Sequence, residues 1–70
     1  MALRLGRSRL PELLSRNKLS QSSLASRLGT SEAFVSQVIS GKKHFSYLMA
    51  LKASLILNCH MEELYEWVDE

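Results

Sequence analysis

Three side chains that can form hydrogen bonds, Glu32, Ser36 and Gln37, lie close together, and Lys42 and Lys43 follow them. A carboxylate accepts hydrogen bonds and a carboxamide both donates and accepts, so these groups could pair with the edges of nucleic-acid bases. The two ammonium groups could bind phosphates, or they could belong to a solvated loop. The choice depends on the elements that carry these residues.

Charge is divided unevenly along the chain. Residues 1–44 contain eight Arg or Lys against two Glu, and residues 45–70 contain one Lys against five acidic residues, so the two segments carry +6 and −4. This division indicates that one face of the protein meets a polyanion. A solubilising acidic tail beside scattered surface charge would give the same balance, so charge alone leaves nucleic-acid binding open.

No residue pattern predicts catalysis or metal binding. Cys59 and His60 are adjacent, which is a poor geometry for two ligands of one metal ion, and no further pair has the spacing of a zinc site. A glycine-flanked nucleophile is also missing, and 70 residues leave no room for a substrate pocket. We therefore expect no metal, no cofactor, no small-molecule ligand and no enzymatic activity.

The composition is that of one globular domain. Hydrophobic residues make up 46% of the chain, which is too many for a disordered segment. No apolar run reaches the ~18 residues of a transmembrane helix, and the first residues, MALRLGRSRL, lack the apolar stretch of a secretory signal. The single cysteine, Cys59, cannot form an internal disulfide, which fits a reducing compartment. We expect a cytoplasmic protein without a membrane partner.

Capping residues and helical periodicity predict five short helices. Serine or threonine stands at the expected start of four of them: Ser8, Ser20, Thr30 or Ser31, and Ser46. Gly29 and Gly41 supply the left-handed residue that ends a helix. Because no segment that alternates with period two is flanked by turn signals, the predicted fold is all-α. It is a compact five-helix domain at residues 9–70, with helices at about 21–28 and 32–40, after a flexible N-terminal arm at residues 1–8.

The apolar positions indicate which face of each helix is buried. The expected inward faces are Leu10, Leu13 and Leu14 on the first helix; Leu24, Ala25 and Leu28 on the second; Val35, Val38 and Ile39 on the third; and Leu48, Leu51, Leu55 and Leu57 on the fourth. The opposite face of the third helix then carries Glu32, Ala33, Ser36 and Gln37. The residues that could pair with bases therefore share one exposed face.

Two short helices joined by a three-residue turn that contains glycine form the helix-turn-helix signature. With Gln21 as the first residue of the motif, Ala25 is the fifth, Gly29 the ninth, Val35 the fifteenth and Val38 the eighteenth. The alanine is small where the third helix crosses over it, the glycine allows the positive φ of the turn, and the two valines hold the third helix on the core.

From Arg9 to Tyr65 the chain resembles the Cro/repressor-type, or XRE, helix-turn-helix family. The matching motifs are Leu19-Ser20-Gln21, Leu24-Ala25, Leu28-Gly29, Gly41-Lys42-Lys43 and Glu62-Glu63-Leu64. The resemblance implies a five-helix domain that binds double-stranded DNA and places its third helix in the major groove.

The resemblance also implies a role for each residue of the exposed face. Glu32, Ala33 and Gln37 are the expected base contacts, with Ser36 beside them. Gln37 can pair bidentately with adenine, Glu32 can accept a hydrogen bond from cytosine N4, and Ala33 can touch a thymine methyl group. The expected phosphate contacts are Gln21, Ser31, Ser40, Lys42, Lys43 and His44.

Three features differ from the pattern of the family: the pair at Leu14 and Ile39, Phe45 where the family has proline after the basic connector, and Phe34 on the third helix. Many members have a buried Arg–Glu pair where this chain has Leu14 and Ile39. We expect these two side chains to touch in the core in place of that ion pair, since such replacements are often neutral or stabilising. Phe34 either packs at the edge of the third helix, against the second helix or the arm, or presses on the wall of the DNA groove.

The C-terminal segment is expected to form the fifth helix and to offer a dimer contact. Its apolar residues cover too much of one short helix for all of them to face inward. Leu64 and Val68 should close the core, which leaves Met61, Tyr65 and Trp67 as candidate dimer contacts. We expect a homodimer that is weak in free solution and completed on DNA, because one such domain reads only a few base pairs. Alternatively, Trp67 folds back onto the first or fourth helix.

These observations predict a sequence-specific, DNA-binding transcriptional regulator, a small repressor of phage or prokaryotic type that is associated with the nucleoid. The alternative is a protein-interaction module, either a regulatory partner or an antitoxin, on the same fold and with little DNA binding of its own. The acidic Glu32 on the exposed face and the acidic C-terminus favour that alternative.

Overall fold

The computed structural model describes residues 2–69, so Met1 and Glu70, the outermost residues of the predicted arm and domain, lie outside the described residues. In chain order the elements are β1 (Leu3–Ser8), α1 (Leu10–Arg16), α2 (Gln21–Leu28), α3 (Glu32–Ser40), α4 (Tyr47–Ile56), a 3-10 turn (Met61–Glu63) and β2 (Tyr65–Asp69). The described chain thus contains four α-helices and a two-stranded sheet. The prediction of an all-α, five-helix domain was wrong in these two respects.

Local chemistry sets the ends of the helices. The hydroxyl oxygens of Ser20, Ser31 and Ser46 each accept a hydrogen bond from the backbone N–H three residues on, at 3.0, 3.1 and 3.2 Å. Gly29 and Gly41 end α2 and α3 at φ angles of 76° and 88°, which non-glycine residues rarely adopt. These caps hold the two helices of the motif at Gln21–Leu28 and Glu32–Ser40, the bounds expected from the sequence.

The core lies between α1, α2, α3 and α4, and Leu64 closes it. The buried apolar residues are Leu10, Leu13, Leu14, Leu24, Ala25, Leu28, Val35, Val38, Ala53, Leu57 and Leu64. Leu64 is buried as expected, and its carbonyl accepts a hydrogen bond from the N–H of Arg9 at 2.9 Å. The start of α1 is thereby tied to the C-terminal segment.

Helix α4 faces the core with a different side from the one expected. Leu48, Leu51 and Leu55 are 61%, 38% and 74% exposed, whereas Ala53 and Ser54 are buried. Small side chains allow the helix to approach the core closely, and α4 is apolar on every side, so its periodicity does not reveal which side is inward. The expected inward face is therefore largely the outward face.

The two ends of the chain pair as antiparallel strands. The register places Leu3 opposite Asp69, Arg4 opposite Val68, and Leu5 opposite Trp67. The expected flexible arm is thus the strand β1, and the expected fifth helix is a 3-10 turn followed by the strand β2. Residues that alternate in polarity, and aromatic or branched residues, favour strands. Each segment is nevertheless too short for its structure to be predicted without its partner.

A bulge interrupts the pairing between Leu5 and Ser8. A Cβ atom on Gly6 would lie 3.1 Å from the Cβ atom of Glu66, so a side chain at this position would crowd the neighbouring strand. Glycine is therefore suited to the bulge because the two backbones approach closely there.

None of the helices within residues 2–69 is long and apolar enough to cross a lipid bilayer.

Candidate nucleic-acid interface

Helix α3 is held on the core by one face and leaves the other open. Val35 and Val38 are fully buried. Glu32, Ala33 and Ser36 are exposed and Gln37 is half-buried, and all four lie on the outward side of the helix. This side combines a carboxylate, a methyl group, a hydroxyl and a carboxamide, which are groups that can read base edges.

The connector that follows α3 is tied to the helix by its backbone. The carbonyl oxygen of Gln37 accepts hydrogen bonds from the N–H groups of Lys42 and Lys43 at 2.9 and 3.2 Å, and from the hydroxyl of Ser40 at 3.0 Å. Lys42, Lys43 and His44 are exposed. Three polar or basic side chains expected to contact phosphate, those of Ser40, Lys42 and Lys43, therefore lie close together in the chain, beside the outward side of α3.

Phe34 packs against this connector. The centroids of the Phe34 and Phe45 rings are 6.1 Å apart, and the Nζ atom of Lys43 lies 5.9 Å from the centroid of the Phe34 ring. Of the two roles considered for Phe34, the structure favours packing: the side chain is partly buried against the core, and the connector is a further partner. A cation over an aromatic face is attracted to it, which restrains the Lys43 side chain beside α3.

Tyr65 anchors the connector from the other side. Its hydroxyl accepts a hydrogen bond from the backbone N–H of Phe45 at 3.2 Å, and the centroids of the Tyr65 and His44 rings are 5.6 Å apart. Burial raises the pKa of the Tyr65 hydroxyl above its usual value, and the hydrogen bond from Phe45 opposes this shift. This role in positioning the connector was missed in the sequence, where Tyr65 was a candidate dimer contact, because no spacing rule links it to Phe45.

Tyr65→Phe is expected to lower the free energy of unfolding by about 0.5–1.5 kcal/mol, because the Phe45 N–H loses its acceptor. The raised pKa adds a pH dependence. The folded state favours the protonated hydroxyl, and the stability that this preference contributes is fully present below about pH 10. It is lost as the pH rises through the folded-state pKa, so the free energy of unfolding should fall above about pH 10. Denaturant unfolding at neutral and alkaline pH measures both effects. Tyr47→Phe is the matched control, because Tyr47 is 77% exposed, and an equal change in both variants would contradict the assignment.

The starts of α2 and α3 supply further polar groups. Gln21 is the first residue of α2, where backbone N–H groups have no partner within the helix and can bind an anion. Ser31 caps α3 through its hydroxyl oxygen, which accepts from the N–H of Phe34. The Ser31 hydroxyl hydrogen can still be donated to a phosphate.

The three candidate dimer contacts have different surroundings. Tyr65 and Met61 are half-buried, whereas Trp67 is 56% exposed. The indole N–H of Trp67 donates a hydrogen bond to the carbonyl of Glu62 at 2.8 Å, and Trp67 lies opposite Leu5 in the sheet. Trp67 therefore belongs to the surface of the strand pair, together with Leu3 and Leu5.

A larger exposed apolar surface lies on α4. We call it the α4 stripe, and it consists of Tyr47, Leu48, Leu51 and Leu55, which are 77%, 61%, 38% and 74% exposed. Residues 47, 51 and 55 are spaced by four, so they lie along one side of the helix. A helix that is apolar on all sides indicates a second partner for its outer side, and that signal was present in the sequence.

Cys59 is free and half-buried. Burial, together with the negative charge of Glu63, raises the pKa of its thiol, and Arg16 and Arg9 oppose that shift. The thiol is therefore protonated at neutral pH, which makes it a poor nucleophile and a poor metal ligand. Within residues 2–69, no three His, Cys, Asp or Glu side chains are grouped so that they could hold a metal ion.

Comparison with known proteins gives a consistent result. The family model described as Helix-turn-helix matches residues 12–64. The restriction-modification controller protein C.AhdI from Aeromonas hydrophila is 34% identical, with a TM-score of 0.72 over 80% of this chain and 85% of that protein. The transcriptional regulator VanUg shares the fold at 22% identity, with a TM-score of 0.66 over 100% of this chain and 92% of that protein. No curated protein matches the sequence.

Proposed function

Because the chain belongs to the XRE-type helix-turn-helix family of DNA-binding transcriptional regulators, which are not enzymes, we propose that it is a sequence-specific repressor of phage or prokaryotic type. The observation that carries this proposal is the outward face of α3, where Glu32, Ala33, Ser36 and Gln37 lie beside an exposed basic connector. In this role α3 enters the major groove and its side chains contact base edges.

The flanking groups would fix the protein on the DNA backbone. Gln21 at the start of α2 and Ser31 at the start of α3 provide one set of phosphate contacts, and the connector provides the other. Ser40, Lys42, Lys43 and His44 make up that second set. Contacts of this kind set the register of the protein on DNA and supply affinity without sequence preference.

The proposed regulator acts as a homodimer, which places two copies of α3 in successive major grooves about one helical turn apart. We assign the α4 stripe as the main contact between the two copies. Its exposed leucines would be buried only if a second apolar surface covered them. In a dimer with a two-fold axis, the same stripe on each copy can cover the other. The contact is expected to be weak in free solution and to be completed on DNA.

Gln37→Ala tests the reading of bases. We expect a loss of about 1–3 kcal/mol in binding to a selected cognate duplex and almost no change with a random duplex, because only the cognate site pairs with the carboxamide. The comparison variant, Lys42→Ala with Lys43→Ala, should weaken both duplexes and reduce the salt dependence by about two units of slope. Gel-shift titrations at two salt concentrations measure all of these.

Two results of the same titrations would contradict the proposal. If Gln37→Ala weakened cognate and random DNA equally, α3 would not carry the specificity. If the unchanged protein retained no DNA in a salt-dependent manner, the alternative of a protein-interaction module or an antitoxin would replace the proposed function.

A second, narrower candidate role is the control of a restriction-modification system. It is favoured by the 34% identity with a protein that has that role, over 80% of this chain. Selection of bound fragments from genomic DNA would test it. Fragments from upstream of restriction or methyltransferase genes would support this role, and an unrelated set of sites would exclude it.

A further inference from the structure

The strand β1 lies beside the C-terminal end of α3. Residues of β1, including Arg4 and Arg7, line one side of a groove of about 400 Å³, and Ser40, Gly41 and His44 line the other side. Both strands fall outside residues 12–64, the part of the chain that the family model matches. The strand pair therefore adds a surface of its own next to the proposed DNA-binding face.

This surface is basic on β1 and acidic on β2. The segment from Leu3 to Arg9 contains three arginines and no acidic residue, whereas β2 contains Glu66 and Asp69. Arg7 and Glu66 form an ion pair at 3.7 Å between Nη2 and Oε2, and their side chains are 86% and 47% exposed. An exposed pair at this distance contributes little to stability, so Arg7 can exchange the carboxylate for another anion at small cost.

The bulge keeps Glu66 close to this part of β1. Two residues of β1, Gly6 and Arg7, lie between Leu5 and Ser8, whereas only Glu66 lies between their partners, Trp67 and Tyr65. An extra residue of this kind changes the direction in which the following side chains leave the strand. A Cβ atom at Gly6 would crowd the Cβ and carbonyl oxygen of Glu66, at 3.1 and 3.2 Å, so the glycine allows the two backbones to lie close together beside Arg7.

We propose that β1 is a third phosphate-binding element, in which Arg7, assisted by Arg4, contacts the DNA backbone beside the C-terminal end of α3, and that Glu66 competes with the phosphate for Arg7. The inference rests on the proposed function, since it extends the same DNA-binding face. In this arrangement, residues before the helix-turn-helix motif also contact the DNA backbone, and the acidic strand β2 limits the affinity for DNA.

Arg7→Ala tests the contact. Binding to a cognate and to a random duplex should weaken by the same factor, about three- to tenfold near 0.1 M salt, and the slope of log affinity against log salt should become shallower by about 0.9, the value for one phosphate. Arg16→Ala is the matched control. It removes the same charge from the far end of α1, next to Cys59, and should change the slope little.

Glu66→Gln tests the competition. Affinity for both duplexes should rise about two- to fivefold, the range expected for the release of one exposed ion pair. Glu62→Gln removes an equal charge from the 3-10 turn and should have a smaller effect. Thermal unfolding of each variant should match that of the unchanged protein, because these side chains are largely exposed.

The outcomes separate this inference from the proposed function. If the unchanged protein binds DNA with a salt-dependent affinity and Arg7→Ala keeps the same slope, β1 does not contact phosphate and the inference is overturned. If Glu66→Gln has no larger effect than Glu62→Gln, the competition is overturned. If the unchanged protein binds no duplex, the proposed function itself fails.

Discussion

Replacing Leu48 and Leu55 together with glutamine should leave a folded monomer that no longer forms the proposed dimer. Both side chains are largely exposed in one copy, at 61% and 74%, so their loss should change the stability of the monomer little. In a symmetric dimer the double variant removes four leucines from the contact, and burial of each is worth about 1.5–3 kcal/mol. We expect the dissociation constant of the dimer to rise at least ~100-fold.

Sedimentation of the free protein and of its complex with a cognate duplex measures this effect. Glutamine is a good helix former and carries no charge, so neither the helix nor the electrostatic attraction to DNA should change much. The matched control is the same double replacement at Leu3 and Leu5, which are 56% and 50% exposed and lie opposite Asp69 and Trp67 in the strand pair.

The control also distinguishes the two surfaces considered for the dimer. If the replacements at Leu3 and Leu5 dissociate the dimer and those on α4 do not, the contact lies around Trp67, as first expected from the sequence. One monomer on each cognate site for the unchanged protein would exclude a dimer through either surface.

The second large effect is expected at Leu14. This side chain is 6% exposed and belongs to the core, and Ile39 is partly buried and packs against the same core. Leu14→Ala should lower the free energy of unfolding by about 2–5 kcal/mol, because a cavity remains where the side chain was. In a domain of this size that loss is a large part of the total stability.

Thermal and denaturant unfolding measure this loss, with Leu5→Ala as the control at an exposed leucine. A double-mutant cycle with Ile39→Val tests the expected contact, since side chains that touch show coupling of about 0.5 kcal/mol or more. A melting temperature of Leu14→Ala within a few degrees of that of the unchanged protein would place Leu14 outside the structural core. Additive losses in the cycle would show that Leu14 and Ile39 do not replace the ion pair of the family.

The sequence predicted the elements whose ends are set by local chemistry. Ser20, Ser31 and Ser46 cap the helices that follow them, and Gly29 and Gly41 end α2 and α3. The periodicity of α3 identified its buried valines and therefore its outward face. Caps and periodicity depend on neighbours within a few residues, so one segment of sequence contains the information.

The parts that the sequence did not predict depend on distant neighbours. The segment Tyr65–Asp69 could be a helix or a strand by itself, and pairing with β1 decides the matter. Helix α4 is apolar on all sides, so only the space available in the core decides that Ala53 faces inward. The Tyr65 hydroxyl and the Phe45 N–H are 20 positions apart in the sequence, and neither residue type by itself predicts the hydrogen bond between them.

The strand pair also has a consequence for the order of folding. Helices α2 and α3, which follow each other in the chain, pack on one another, whereas Leu3 and Asp69 are paired across almost its whole length. Closing so long a loop costs more conformational entropy than joining adjacent helices, and such non-local contacts form slowly. We therefore expect the helical body to assemble while both ends are still free and the strands to join last. Because the strands bury few side chains, we also expect them to be the first elements to separate in brief local openings of the native state.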